Sequence, residues 1–252
     1  MLTLAIIQVG DRADSDSYIK AKKTFAKKIG VNEKHIQLSE SISQEKVIDA
    51  VRECNVDHDI QGIIVQLPLP AHIDRDLVIN TINPRKDVDA LTAVNIGKWS
   101  EDKGIMPATA RGVRELLDFY KISLRNKKVT VIGRSELVGE PIAVMCQNNG
   151  AIVTVCHSKT PDLVSETKKA DIIICAVGKL ELIQAKHVKE GQIIIDVGIN
   201  RTEDGTLTGD VDFESVKDIV KAITPVPGGV GQMTVLALFE NLADICSYSI
   251  SQ

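Results

Sequence analysis

The 252-residue sequence predicts an α/β protein of two domains with parallel sheets, and three observations predict it. Short, almost wholly apolar runs recur along the chain: LTLAIIQV, HIQLSE, GIIVQLP, KVTVIG, AIVTVCH, DIIICAV, QIIIDVGIN and KAITPV. Runs that are apolar at nearly every position suit strands covered by helices on both faces, and their alternation with helical segments is the rhythm of βα units. The rhythm breaks once, between Asn83 and Pro107, and restarts at Lys128.

Composition narrows the class. An apolar fraction of 44% and a charged fraction of 25% are globular averages, which sets aside disordered, collagen-like and disulfide-scaffold chains. A net charge of −4 provides no global positive field for a polyanion, so a nucleic-acid partner is not expected. Met1 leads directly into LTLAIIQVG without a positive n-region or cleavage site, and no apolar run approaches the ~20 residues of a membrane span. Cys54, Cys146, Cys156, Cys175 and Cys246 form no CxxC pair, and four lie beside apolar runs, so they read as reduced core thiols. A cytoplasmic protein without a membrane partner is expected.

In chain order, polar residues ahead of apolar-periodic runs place helix starts at Ser43, Asp74 and Thr109, the last running through ARGVRELLDFY. The stretch NPRKDVDALTAVNIGKWSEDKG has little periodicity and reads as a long functional loop. Gly150, after Asn149, marks a helix stop. A last apolar helix from about Val235 to Ser249 is expected to pack back on the first domain. The boundary falls near Gly112, giving one domain of residues 1–112 plus 235–252 and another of 113–234.

In the second domain, KVTVIGRSELVGEP joins a strand to a helix through Gly133 and Gly139, with Pro141 in the first turn. A strand, a glycine turn and a helix N-terminus together make an anion site. The spacing is not GxGxxG, so an ordinary tight turn stays open. The next strand ends in His157, Ser158 and Lys159, where an NAD-specific domain carries an acidic residue for the ribose 2′-hydroxyl. With Arg134 after the first strand, these donors suit a 2′-phosphate, and NADP is the expected cofactor, with Ser135 in the same turn a further candidate for cofactor contact. AVGK and DVGIN end two later strands, and Gly178, Gly198 and Ile199 are further candidates for cofactor contact, with ordinary turn glycines as the competing reading.

In the first domain, Tyr18 and Lys22 lie four residues apart on one helix face, an aromatic ring beside an amine. Burial would bring a lysine into the range of proton transfer, although most helix lysines are solvated. Gln66 ends the run GIIVQLPLP, followed by Leu67 and Pro68. A buried glutamine there needs partners for both amide ends, which an amine and a substrate carbonyl would supply. In DVDAL, Asp87 and Asp89 alternate, so only one faces a given side. Near the C-terminus, Pro227, Gly228 and Gly229 of ITPVPGGVGQMT let backbone approach a ligand closely.

YIKAK, VQLPLP, KDVDAL, GRSELVGEP, CHSKT, DVGIN and PVPGGVGQMT, in this order across nearly the whole chain, resemble the bifunctional methylenetetrahydrofolate dehydrogenase/methenyltetrahydrofolate cyclohydrolase family. The resemblance implies a catalytic domain that binds tetrahydrofolate derivatives, a Rossmann-type NADP domain, a cleft between them, and a homodimer. It implies that Tyr18 stacks on the folate, that Lys22 is the essential lysine with Gln66 as its partner, and that Asp89 holds the pterin. It assigns Arg134 and Ser158 to the 2′-phosphate, and Pro227, Gly228 and Gly229 to the loop beside substrate and nicotinamide. The implied chemistry is hydride loss from the methylene carbon, then water attack on the resulting methenyl carbon.

The chain departs from the family pattern at Ala90, Ala108 and Gln232, where the family carries DVDG, PCTP and PGGVGPMT, and it begins about one helix later than members usually do. Ala90 and Ala108 are expected to alter packing only. No metal is expected, since the five histidines show no ligand spacing. The chain lacks a GxxxxGK[ST] loop, which excludes a formyltetrahydrofolate synthetase activity. A monofunctional dehydrogenase of the same fold and a catalytically silent NADP-binding regulatory protein stay open as alternatives.

Overall fold

Two parallel sheets, of three and five strands, organise the chain in the computed structural model, which describes residues 2–101, 103–202 and 204–250. The chain divides into one unit of Met1–Ala108 with Val235–Gln252 and a second of Thr109–Thr234.

The first unit begins with β1 (Thr3–Val9), α1 (Ala13–Ile29), β2 (Asn32–Leu38), α2 (Gln44–Val56) and β3 (Gly62–Val65), in the sheet order β2-β1-β3. The centre of β1 is fully buried because both its faces are covered. Ala5, Ile7 and Val9 pack with Val47 and Val51 of α2, whereas Leu4 and Ile6 point the other way, into a cluster with Ile19 and Ala26 of α1. This is the two-residue alternation of a strand read on both faces. Each such buried aliphatic side chain contributes about 1.5 to 3 kcal/mol relative to exposure.

Next come α3 (Arg75–Ile79), whose Asp74 cap accepts the N–H groups of Asp76 and Leu77, and α4 (Ala93–Ser100). The second of these corrects the sequence reading, which treats residues 83–107 as loop. A helix of only two turns with Gly97 inside it carries little periodic signal. Its stability comes from caps and burial: Thr92 accepts the N–H of Asn95, and Trp99 is buried. A second correction concerns α5 (Ala108–Phe119), which places Thr109 inside the first turn and not at its cap.

The second unit continues with β4 (Lys128–Ile132), α6 (Gly139–Asn148), β5 (Ile152–Cys156), α7 (Leu163–Lys169), β6 (Ile172–Cys175), a 3₁₀ turn (Ala185–His187) and β7 (Ile193–Asp196). A small antiparallel hairpin of β8 (Asn200–Arg201) and β9 (Leu207–Thr208) precedes α8 (Phe213–Val216) and β10 (Ala222–Ile223). The five-stranded order is β10-β7-β6-β4-β5. From β4 the chain steps outward to β5, then jumps back over β4 to β6. The order therefore reverses between β4 and β6, at the point where open α/β sheets bind ligands. Gly150, two residues past α6 at φ 79°, provides the left-handed stop expected for it.

The final helix, α9 (Val230–Ile250), starts five residues before its expected position because the PVPGG turn finishes at Gly229. Its residues Val235, Leu238, Phe239, Leu242 and Ile245 complete the first unit's core beside Leu4 and Ile6. All five cysteines are free, and burial pushes the Cys146 thiol up to about 12, so it stays protonated. Among the described residues no helix is long and apolar enough to cross a membrane.

Candidate active site

Lys22 lies on the buried stripe of α1, at helical spacing between Ile19 and Ala26, and only 7% of its surface is exposed. Apolar positions at this spacing draw the helix onto the sheet, and they take the amine with them. At the carboxyl end of β3, Gln66 Oε1 accepts a hydrogen bond from Lys22 Nζ at 3.1 Å. The other end of that amide is used too, because Gln66 Nε2 donates to the carbonyl of Leu67 at 2.9 Å. The amide is thus held in one orientation, with its oxygen toward the amine.

Burial lowers the pKa of Lys22, because the ammonium loses its hydration, and the negative charge of Asp89 partly opposes this. The same burial pushes the Asp89 carboxyl up, Lys22 pulls it down, and Asp87 pushes it up further. Lys22, Gln66 and Asp89 therefore form one electrostatically linked group. Tyr18, one turn before Lys22 on α1, is half-buried. Leu67 is half-buried and Pro68 is exposed in the turn that follows Gln66.

The two aspartates of DVDAL separate in role. Asp87 is 1% exposed, and its carboxylate accepts from the Thr92 N–H at 2.8 Å, from Asn95 Nδ2 at 2.9 Å and from the Leu91 N–H at 3.3 Å. It organises the turn and the start of α4, leaving Asp89 as the carboxylate whose charge acts on Lys22. Ala90 sits in that turn at φ 57°, so the alanine in place of the family's glycine has a backbone consequence as well as a packing one.

Asn241, in the middle of the apolar α9, was passed over in the sequence. It is fully buried, and its Nδ2 donates to the carbonyls of Val88 at 2.8 Å and Met106 at 3.0 Å, which ties down the backbone beside Asp89. A lone amide in an apolar helix was the available signal.

In the second unit, every residue expected at the cofactor lies past the carboxyl end of a parallel strand or at the helix start that follows. Register pairs Ile132 with Cys156, and the Gly133 N–H donates to the Cys156 carbonyl at 2.9 Å. Exposed Arg134 and Ser158, with half-buried His157, therefore stand past neighbouring strand ends. Gly133 passes so close to the end of β6 that a Cβ on it would lie 2.2 Å from the Ala176 carbonyl oxygen. At the start of α6, the Ser135 hydroxyl accepts the Gly139 N–H at 3.3 Å and the Ser135 carbonyl accepts the Glu140 N–H at 3.0 Å, ahead of buried Pro141. Ser135 thus engages the first amides of the helix, which the sequence reading treats as open to a phosphate. These strand ends, a glycine at the switch point and a guanidinium beside a hydroxyl fit a phosphorylated dinucleotide.

Gly178 is exposed after β6, Gly198 is buried after β7, and Ile199 beyond it is exposed. Pro227, which follows a cis peptide, and Gly228 are exposed, Gly229 is buried, and all three belong to this second unit. Gln232 is exposed in the first turn of α9.

Residues 1–89 match the profile of the tetrahydrofolate dehydrogenase/cyclohydrolase catalytic domain, and residues 107–250 match the NAD(P)-binding domain of the same enzymes. The chain is 42% identical over 250 residues to the bifunctional protein FolD of Lactococcus lactis, covering 99% of this chain and 88% of that one. A crystal structure of the bifunctional FolD enzyme from Campylobacter jejuni superposes with a TM-score of 0.94 at 43% identity, covering 98% of this chain and 88% of the other. The Trypanosoma brucei enzyme, solved with NADP cofactor and inhibitor, superposes at 0.95 with 35% identity, covering 100% of this chain and 88% of that one. Since both halves of the sequence match, in order, the two domains of one enzyme, the chain belongs to the tetrahydrofolate dehydrogenase/cyclohydrolase family.

Proposed function

We propose that this chain catalyses two successive steps on a folate-borne one-carbon unit: NADP-dependent oxidation of 5,10-methylenetetrahydrofolate to 5,10-methenyltetrahydrofolate, and hydrolysis of that product to 10-formyltetrahydrofolate. The observation that carries the reading is the buried Lys22 amine held by the oxygen of Gln66 at 3.1 Å.

NADP, when bound, takes up the hydride that leaves the one-carbon unit. Arg134 and Ser158 hold its 2′-phosphate, while the turn of Gly133, Ser135, Gly139 and Pro141, with His157, Gly178, Gly198 and Ile199, shapes the rest of its site. Tyr18 stacks on the folate ring, Asp89 accepts N–H donors from the pterin, and Leu67, Pro68 and the Pro227-Gly228-Gly229 turn line the substrate.

In the hydrolysis, a neutral Lys22 amine takes a proton from water as its oxygen bonds to the methenyl carbon. The proton then goes to the folate nitrogen released when its bond to that carbon breaks, and the remaining hydroxyl proton leaves to solvent as the formyl C=O forms. Burial provides the neutral amine, and Gln66 accepts from the amine without locking it as an ammonium, as a carboxylate would.

Absorbance at the methenyl and NADPH bands tests this, with methylenetetrahydrofolate and NADP, then NAD, then methenyltetrahydrofolate alone. NADP-dependent turnover with enzyme-accelerated methenyl decay supports both steps. Turnover without accelerated decay leaves a monofunctional dehydrogenase, and silence in both assays leaves a binding protein.

The chain works in the cytoplasm as a homodimer. Five free cysteines suit a reducing compartment. Strand β5 ends the five-stranded sheet with Ile152 61% exposed and Val155 40% exposed, an edge that a second copy would cover.

A further inference from the structure

Two buried aspartates outside the residues discussed so far join the strand ends that face the coenzyme. Asp210 follows β9 and is fully buried. Its Oδ2 accepts the N–H groups of Val177 at 2.8 Å and Gly178 at 3.1 Å, and its Oδ1 accepts the Lys179 N–H at 2.8 Å and Asn200 Nδ2 at 3.0 Å. Three consecutive amides converging on one point make a backbone nest, a form that otherwise holds an anion. Here the protein's own carboxylate fills it.

Asp196, the last residue of β7, is 3% exposed and mirrors this role. Its Oδ1 accepts the N–H groups of Gly198 at 3.0 Å and Asp210 at 3.1 Å, and its Oδ2 accepts the Val211 N–H at 3.0 Å. Asp196 therefore holds the backbone that carries Asp210, and Asp210 holds the loop after β6. The interlock is steric as well. A Cβ on Gly198 would lie 2.1 Å from the Asp210 carboxyl carbon, and one on Gly209 would lie 1.9 Å from Asp196 Oδ2. Contacts this short explain why both positions are glycine.

We propose that Asp210, held by Asp196, is a positioning residue for the NADP site: it sets the course of the AVGK and DVGIN strand-end loops. The inference rests on the NADP reading above. Because Asp210 and Asp196 already take the amide donors of residues 177–179 and 198, these loops meet the coenzyme through carbonyls, side chains and close approach.

The test is NADP affinity by titration calorimetry at 25 °C, well below unfolding, in Asp210→Asn and in the milder Asn200→Ala. Asparagine turns one acceptor oxygen into a donor that confronts amide N–H groups, so the dissociation constant should rise roughly tenfold, and by about two- to fivefold for Asn200→Ala. Hydrolysis of methenyltetrahydrofolate without NADP, which draws on Lys22 and Gln66, should keep its rate in both variants. An unchanged NADP affinity in either folded variant, or a parallel fall in hydrolysis, would overturn the proposal. If Asp210→Asn does not fold, Asn200→Ala decides alone. Failure of the unaltered protein to bind NADP would instead sink the NADP reading, and the positioning role with it.

Discussion

Lys22 and Gln66 form a buried amine–amide pair at 3.1 Å, in which the acceptor is neutral. A neutral acceptor satisfies the amine without a counter-charge that would fix it as an ammonium. Gln66→Glu would place a carboxylate at hydrogen-bond distance and raise the pKa of Lys22. Hydrolysis should then fall by about 10² to 10⁴, the usual contribution of a general base. Lys22→Met should remove it equally while leaving NADP binding intact. Methenyl decay in the two variants checks this, and decay at the unaltered rate in Lys22→Met would refute the role of the amine.

Asp89 is expected to set the pH response. Burial lowers the pKa of Lys22 below 10.5, and Asp89 opposes that lowering. If the neutral amine is the active form, hydrolysis rises with pH through the Lys22 midpoint. Asp89→Asn removes the opposing charge, so the midpoint in kcat moves to lower pH even as weaker pterin binding raises KM. A midpoint that stays put or moves upward would argue against the coupling.

Asp196 should titrate at about 6, since burial outweighs the three N–H groups that favour its charge. The folded pKa lies above the ordinary 3.8, so between these values the folded chain binds the proton more tightly than the unfolded one. This group's contribution to stability is present below pH ~4 and is lost as pH rises through ~6, by roughly 3 kcal/mol in all. A carbon-detected NMR titration of the Asp196 carboxyl checks it. A midpoint near 3.8 would contradict the assignment.

Ala90, fully buried at φ 57°, tolerates little change. A β-branched side chain is strained in this backbone region and has no room, so Ala90→Val should lower stability by about 2 kcal/mol or more. Ala90→Gly should stay within about 1 kcal/mol, because relief of strain offsets the lost methyl and the added freedom of the unfolded chain. Urea midpoints for the two variants separate the backbone effect from the packing effect.

The β5 edge makes a prediction about assembly. Val155→Lys adds charge to an exposed edge and should convert a dimer to a monomer in sedimentation experiments without unfolding the chain. An unaltered dimer mass would place the interface elsewhere.

The sequence alone determined what depends on local pattern. Apolar runs such as GIIV and IIIC read as covered strands because burial on both faces leaves no polar position, and Tyr18 and Lys22 shared a helix face by spacing alone. The short helix Ala93–Ser100 was illegible because its stability resides in Asp87, Thr92 and Asn95 bonding to one another, which no periodicity records. Only the tertiary structure decided which of the five lysines on α1 is buried, since the sequence marks their spacing but not which face meets the sheet. It also decided that Asp87 is spent on the turn before α4 while the charge of Asp89 acts on Lys22, and that Asp196 and Asp210 interlock. The physical reason is the same in each case. A side chain's burial and charge are set by residues up to 153 positions away in the chain, as with Asn241 and Val88, and local sequence does not encode those distances.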